Sequence, residues 1–368
     1  MKKILLFYPH IPKDTPSKVA ETLRTRWIGQ GPKVDQFEKN FSDKFSNGNP
    51  CIGVGSGTDA LHLAYILAGI KHGDEVITPV FTCTATNIPL LYLGARIKFA
   101  DVDVNTLNMS IGHVNELITE KTKAIVCVHY GGLPCDMDSL VKLSDRYGIP
   151  LIQDSAHAIG AKYNGQVLTE FSDFSCYSFQ AIKSITTGDG GMLVLKNKEI
   201  AEKAKRMRWF GIDRKKKSKG IWENDITEIG YKYQMTDLAA TMGISGLENF
   251  DEHLKYRRQL HAHYRKKLEK IPGIKIVNDR NDKYFHAAWL NTIIVSGRKD
   301  LEKKLAENGI ESNQVHYRND RYSIFSEYKN KNLVNMNSVE DKYLVLPMHA
   351  KITISDIDKI ADVISSGW

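Results

Sequence analysis

The sequence predicts an α/β protein: a large, mostly parallel sheet with helices on both faces, joined to a smaller α+β C-terminal domain. Three observations carry this prediction. From Cys51 onward, short apolar runs alternate with stretches of helical periodicity, the pattern of a parallel sheet buried on both sides. The chemically distinctive residues, at 55–58, 81–83 and 154, fall at or just after the ends of those runs, where open α/β sheets bind ligands. A long helical stretch that passes Arg258 marks a domain border, and beyond it, from Ile274, the pattern changes.

In chain order, a proline-punctuated start, Tyr8-Pro9-His10-Ile11-Pro12, leads into an amphipathic helix over 17–26. A turn-rich break over 27–32 precedes a second helix, 34–41, with apolar Val34, Phe37 and Phe41 at i, i+3 and i+7. A short strand at 52–54 runs into Gly55-Ser56-Gly57-Thr58-Asp59-Ala60, a small-residue turn opening a helix with apolar Leu61, Leu63, Ala64, Leu67 and Ala68. Such a turn leaves backbone N–H groups free to face an anion. A helix start with Ser56 or Thr58 as its cap accounts for the same residues without a ligand.

Strands at 75–79, 96–101, 124–129 and 151–154 alternate with helices at 84–93, 113–119 and 138–147. A strand at 192–195, a helix at 199–209 and a polar, basic loop at 211–224 follow. The helical pattern past Arg258 has a break near Gly246. The last part reads as strands at 274–277 and 289–295, a helix at 299–308, a polar loop, and a helix at 355–364 capped by Ser355. The expected domains are 1–248 and 249–368, with residues 1–30 a candidate to pack on the smaller one.

Residues 150–191 organise the rest. Leu151-Ile152-Gln153-Asp154 is an apolar run ending in an acid, and a buried carboxylate there needs a partner. His157 lies three residues on, and Lys183 sits among small and apolar neighbours before Thr186-Thr187-Gly188-Asp189-Gly190-Gly191. A desolvated site helps a lysine lose the proton it must shed to form an imine. The pair is read as holding pyridoxal phosphate (PLP): Lys183 as the Schiff-base amine, Asp154 keeping a proton on the pyridine nitrogen. Taken singly, Asp154 is as well explained by a turn or cap, and Lys183 by a solvent-facing loop.

Composition narrows the class. The chain has 368 residues and a formal net charge of +8. Its basic residues are spread out, with one dense run at 214–219, which argues for a solvated loop or attraction of an anionic small substrate rather than nucleic acid. Five cysteines without a CxxC pair fit free thiols in a reducing cytoplasm, with neither a disulfide framework nor a metal site. No apolar segment is long enough to span a bilayer, so no membrane partner is expected.

These residues resemble the nucleotide-sugar aminotransferases of the DegT/StrS type, PLP-dependent enzymes of fold type I. The resemblance covers nearly the whole chain. It is carried by Gly31-Pro32-Lys33-Val34-Asp35-Gln36-Phe37-Glu38, Gly55-Ser56-Gly57-Thr58-Asp59-Ala60-Leu61, Asp101-Val102-Asp103 and Asp154-Ser155-Ala156-His157-Ala158-Ile159-Gly160. The Ser178…Lys183…Gly191 block, Gly230-Tyr231-Lys232-Tyr233 and Leu346-Pro347-Met348-His349 complete it. It implies a seven-stranded sheet domain and transfer of an amino group from an amino acid, L-glutamate, to a nucleotide-diphosphate-linked keto-sugar.

It also implies roles for single residues. Lys183 is the catalytic lysine, Asp154 pairs with the pyridine nitrogen, and His157 lies near the ring's 3-oxygen. Gly57, Thr58 and Ser178 hold the phosphate. Members are homodimers with the active site at the interface, and the segment 231–234 reaches the partner's cofactor phosphate. Two departures stand out: Cys83, with Phe81 nearby, where the family often has an aromatic residue over the cofactor, and Lys232 with Gln234 where asparagine is common. Arg214 with the rest of the 214–219 run, His316, Tyr317 and Arg318 are candidates for the diphosphate or sugar. A sugar dehydratase on the same fold carries histidine in place of the lysine, which Lys183 disfavours. A regulatory relative would need a DNA-binding module for which the chain has no spare length.

Overall fold

The computed structural model describes residues 3–214, 216, 219–223, 225–277 and 281–368. Its central sheet has seven strands: β1 (Cys51–Val54), β2 (Glu75–Pro79), β3 (Arg96–Ala100), β4 (Thr122–Val128), β5 (Leu151–Asp154), β6 (Phe174–Ser178) and β7 (Gly191–Leu195). The spatial order is β1-β7-β6-β5-β4-β2-β3. Strands β3, β2, β4, β5 and β6 are parallel, whereas β7 is antiparallel to β6 and β1. The reason is local. The connection from β6 to β7 contains no helix, and without a crossover the chain can only fold back.

Period-two alternation sends side chains to both faces. On one face Ile52, Val126, Ile152, Cys176 and Leu193 pack against Leu61, Ala64 and Tyr65 of the helix Gly57–Leu67. On the other, Ile125, Cys127 and Leu151 meet Met137 and Leu140, and Tyr177, Met192 and Val194 meet Phe37 and Phe41 of the helix Pro32–Phe45. Burial on both faces is why these strands read as continuous apolar runs.

The smaller sheet is β8 (Ile274–Ile276), β9 (Asn291–Val295) and β10 (Tyr343–Leu346), antiparallel in that order. Helices Phe250–Leu268, Arg298–Glu307 and Ile354–Ser365 cover it through Leu260, Tyr264, Leu301, Leu305, Ile357 and Ile360. Strand β10 had no counterpart in the sequence reading. The helical stretch past Arg258 is two helices, Asp237–Glu248 and Phe250–Leu268, broken at Asn249. The last helix is capped by Thr353 rather than Ser355. Thr353 and Asp356 exchange hydrogen bonds in a capping box, which satisfies two backbone donors together.

Residues near the N-terminus divide between the two parts. Ile4 pairs with Ile310 and joins the small-domain core. The helix Thr15–Leu23 lies on Asp237–Glu248, with Thr15 bonded to Ser245 at 2.8 Å and Thr22 to Thr241 at 2.9 Å. Two later stretches return to the large domain and pair there outside its seven-stranded sheet. Tyr284–Phe285 pairs with Lys162–Tyr163, and Tyr317–Arg318 pairs with Phe81–Thr82. These returns bring the chain near 289 and 316 over the C-terminal ends of the strands. Among the described residues, no helix is long and apolar enough to cross a membrane.

Candidate active site

Strand register gathers the site. Asp154 ends β5 opposite Val128 of β4 and Cys176 of β6, while Val54, Gly191 and Ser178 stand side by side across β1, β7 and β6. Between these ends lies a cavity of about 390 Å³, lined by Gly57, Thr58, Asp154, Ser178 and Lys183 among others. It falls within the range of ordinary small-molecule pockets.

The Asp154 carboxylate is buried. It accepts hydrogen bonds from the Thr86 hydroxyl at 2.7 Å and the Ala156 N–H at 3.1 Å. Thr86 is tied in turn to the Thr82 hydroxyl at 2.8 Å. Burial nonetheless holds the Asp154 pKa above the usual carboxylate value, with Thr86, Ala156 and Lys183 pulling the other way. This acid calls for a cationic partner.

Lys183 stands on the helix-free connection between β6 and β7, its N–H donating to the Gln180 carbonyl at 2.8 Å. Part of its side chain faces the cavity. Dense protein around the amine lowers its pKa to about 8, against the pull of Asp154. Its Nζ lies 3.9 Å from the centroid of the Trp289 ring.

His157 is stacked on Trp289 at 3.9 Å and 19°, and lies parallel to His316 at 5.1 Å and 7°. Its Nδ1 accepts the Gly131 N–H at 3.4 Å, and its Nε2 is 3.3 Å from Nε2 of His316. Burial, then Lys183, hold both imidazoles neutral: His157 well below its ordinary value and His316 at about 3.

At the other end, Ser56 caps the helix Gly57–Leu67 by accepting the Asp59 N–H at 3.0 Å. The cap therefore leaves Thr58 to face the cavity. Backbones are crowded here. A Cβ on Gly57 would stand 2.9 Å from Cβ of Ser178, and one on Gly191 would stand 2.3 Å from the Ser56 carbonyl oxygen. The glycines let the turn, β6 and β7 meet.

A buried acid able to face a pyridinium, an amine with a depressed pKa, and a helix N-terminus beside a serine hydroxyl on one cavity form a donor set that fits PLP.

Cys83 is exposed, directly precedes the helix Thr84–Tyr92 and lines the cavity. Phe81 does not cover it, being packed in the core at 4.9 Å from both Tyr130 and Tyr343. His316 lies in the cavity, while Tyr317 pairs with Thr82 and carries Arg321 over its ring at 4.6 Å.

The remaining candidates stand elsewhere. Arg214 bonds to Gln30 at 3.1 and 3.0 Å and lies over Trp209, beside a separate cavity of about 490 Å³. Of the basic run, Lys215, Lys217 and Ser218 lie outside the described residues. Arg318 is engaged by Asp320, Glu340 and Asn337. Lys232 is exposed, with Nζ 5.3 Å from the Phe210 ring; Gln234 pairs with Val54, and its Oε1 is buried without a partner. Neither lines the cavity of its own chain.

Sequence reading missed Thr86, Trp289 and Phe7, which also lines the cavity. Each reaches the site from far along the chain, so no local signal marks it. Cys127, His129 and Cys135 bring three ligand atoms within 4.8 Å of one another. However, Nδ1 of His129 accepts the Cys135 N–H, and Nε2 is bonded to Gln153 Oε1 at 2.6 Å. Gln153 is oriented by its own bonds to the Leu168 carbonyl and Ser172. The imidazole thus has no nitrogen left for a metal.

The model of the DegT/DnrJ/EryC1/StrS aminotransferase family matches residues 9–365. The GDP-perosamine synthase of Escherichia coli O157:H7 is 34% identical over 331 residues, covering 89% of this chain and 88% of that protein. The sugar aminotransferase CalS13 from Micromonospora echinospora superposes with a TM-score of 0.93 and 32% identity, over 99% of this chain and 100% of that one. The PLP form of Spr1654 from Streptococcus pneumoniae does so with a TM-score of 0.92 and 26% identity, over 99% and 98%.

Proposed function

Because the chain belongs to the DegT/DnrJ/EryC1/StrS aminotransferase family, we propose that it moves the amino group of L-glutamate to a nucleotide-diphosphate-linked keto-deoxysugar. The product is an amino sugar for a surface polysaccharide or glycan. The observation that carries this reading is the convergence of Asp154, Lys183 and the Gly57 turn on one cavity.

PLP, when bound, carries the amino group between the two substrates and takes up the electrons left as a substrate C–H bond breaks. Lys183 would hold the cofactor covalently until the amino group of the donor displaces it, and its freed amine would then take the proton from one carbon and return it to the other. A pKa of about 8 keeps a useful share of its amine unprotonated near neutral pH. Asp154 holds a proton at the pyridine nitrogen, and the charge it gains as a partner offsets its own burial. His157, held neutral, meets the ring's 3-oxygen as a hydrogen-bonding group without adding charge. Gly57, Thr58 and Ser178 hold the phosphate, and Cys83 borders the ring.

The working unit is a homodimer with the site at its interface. Support comes from the apolar side chains exposed over 210–229: Phe210, Ile226, Trp222 at 73% and Ile229 at 79% exposure. Lys232 and Gln234 reach the partner's phosphate; His316, with Tyr317 beside it, contacts the sugar nucleotide from its own cavity, whereas Arg214, beside a separate cavity, reaches one only across the dimer interface. Five free thiols suit a cytoplasmic enzyme.

An optical experiment tests the reading. Protein mixed with PLP should show a visible band distinct from that of free PLP, glutamate should bleach it, and a nucleotide keto-sugar should restore it. K183A should lose the band. No protein-bound band, or one indifferent to every amino acid offered, would overturn the proposal.

A further inference from the structure

We propose that Trp289 is the positioning residue for Lys183: its indole face holds the lysine's ammonium whenever that amine is free of the cofactor, and its N–H fixes the backbone from which the lysine reaches. The inference rests on the reading of Lys183 as the amine that bonds the cofactor.

The contact is close. Nζ of Lys183 is 3.9 Å from the ring centroid, well inside the range of cation–π attraction. Trp289 is buried, so the ring acts with little water around it. Its Nε1–H donates to the Ile182 carbonyl at 3.1 Å, one residue before the lysine. The ring therefore grips both ends of Lys183.

The tryptophan is itself held. Its backbone N–H donates to the Gly131 carbonyl at 2.9 Å. The buried Arg257 guanidinium donates to the Trp289 carbonyl at 2.6 Å and the Ala288 carbonyl at 2.9 Å. Ala288 has φ +53°, a left-handed conformation that a non-glycine residue keeps only when its surroundings impose it.

The chemistry needs such a perch. A transfer lysine leaves the cofactor and returns in each cycle, and a long flexible side chain loses time in unproductive rotamers. A carboxylate would hold the ammonium too firmly to release a proton. An aromatic face attracts the cation without a formal negative charge. The other titratable groups facing the amine are Asp154, Cys83, His157, His316 and Asp189.

The test uses cofactor-free protein. Trace acetylation with acetic anhydride across a pH series, read by peptide mass spectrometry, gives the pH at which the Lys183 amine becomes half reactive. Trp289→Leu keeps an apolar wall but removes the ring, and the midpoint should fall by about one unit. Fluorinated tryptophan, which keeps the shape and weakens the ring's negative face, should lower it in the same direction even if the leucine variant folds poorly. Trp289→Phe keeps a ring and loses the N–H. Its midpoint should stay near that of the native protein, while kcat falls about tenfold with KM for glutamate little changed. A midpoint unmoved or raised in both the leucine and fluorinated proteins overturns the ring's role, and an unchanged kcat in the phenylalanine variant overturns that of the N–H. Failure of the native protein to take up PLP would instead sink the functional reading, since acetylation needs no cofactor.

Discussion

The Asp154 carboxylate is buried with two hydrogen-bond donors and still has a raised pKa, because two neutral donors do not replace the water it has lost. A cation arriving at the cavity relieves that cost. An asparagine in its place would keep the shape and lose the charge. D154N should therefore fold normally, bind PLP at least about tenfold more weakly and turn over at least about a hundredfold more slowly, as measured by titration of the visible band and by amino-transfer rate. A variant with native affinity and rate would remove Asp154 from the mechanism. Lys183 has the opposite charge and a linked pH dependence. The unfolded chain holds the lysine proton up to about pH 10.5, the folded one only to about 8, so across that window the unfolded state binds more protons and stability rises with pH. K183M lacks this group. In cofactor-free protein it should exceed the native chain in stability below pH 8, and the gap should close toward pH 10.5 by about 2 kcal/mol, water in the cavity limiting the effect. Denaturant unfolding at several pH values measures it. Both residues were legible in the sequence because each has a local signature: an acid closing an apolar run, and a lysine in a small, uncharged stretch. Thr86 and Trp289 were not, since a threonine in a helix and a tryptophan before a strand gain their meaning only from the fold.

At the scale of elements, the site is a packing of three backbones. The turn at 55–58, the end of β6 and the start of β7 meet where side chains would not fit. Gly57→Ala places a methyl on Cβ and Cα of Ser178. It should leave the fold intact and weaken PLP binding about tenfold by pushing the turn from the serine. Gly191→Ala meets the backbone of Ser56 and has nowhere to move, so it should lose about 2–3 kcal/mol of stability. Equal effects of the two changes on cofactor affinity and on unfolding would contradict this division. Most strands of the large sheet were readable because burial on both faces leaves an unbroken apolar run. Their order was not, nor was the reversal of β7, which follows from a connection too irregular to hold a crossover helix. Strand β10 escaped notice because four apolar residues beside Pro347 carry no periodicity that separates strand from loop.

For the whole molecule, the proposed homodimer brings residues to the cavity from outside the chain. Neither Lys232 nor Gln234 lines the cavity of its own chain, and both stand on a segment flanked by the exposed Phe210, Trp222 and Ile229. The family resemblance anticipated this segment as a partner's contribution, and nothing in a single chain's residue order could distinguish that from an unused loop. Shared sites make a sharp prediction. If Lys232 acts on the partner's cofactor, K183A and K232A each abolish both sites of their own homodimer. Co-expressed with different tags, the two chains form heterodimers in which one site has both defects and the other has none. With random pairing, half the dimers are mixed and each carries one good site, so activity should recover to about a quarter of the native value. Recovery should be confined to the fraction that carries both tags. No recovery, in a mixed dimer shown to have formed, would return Lys232 to its own chain.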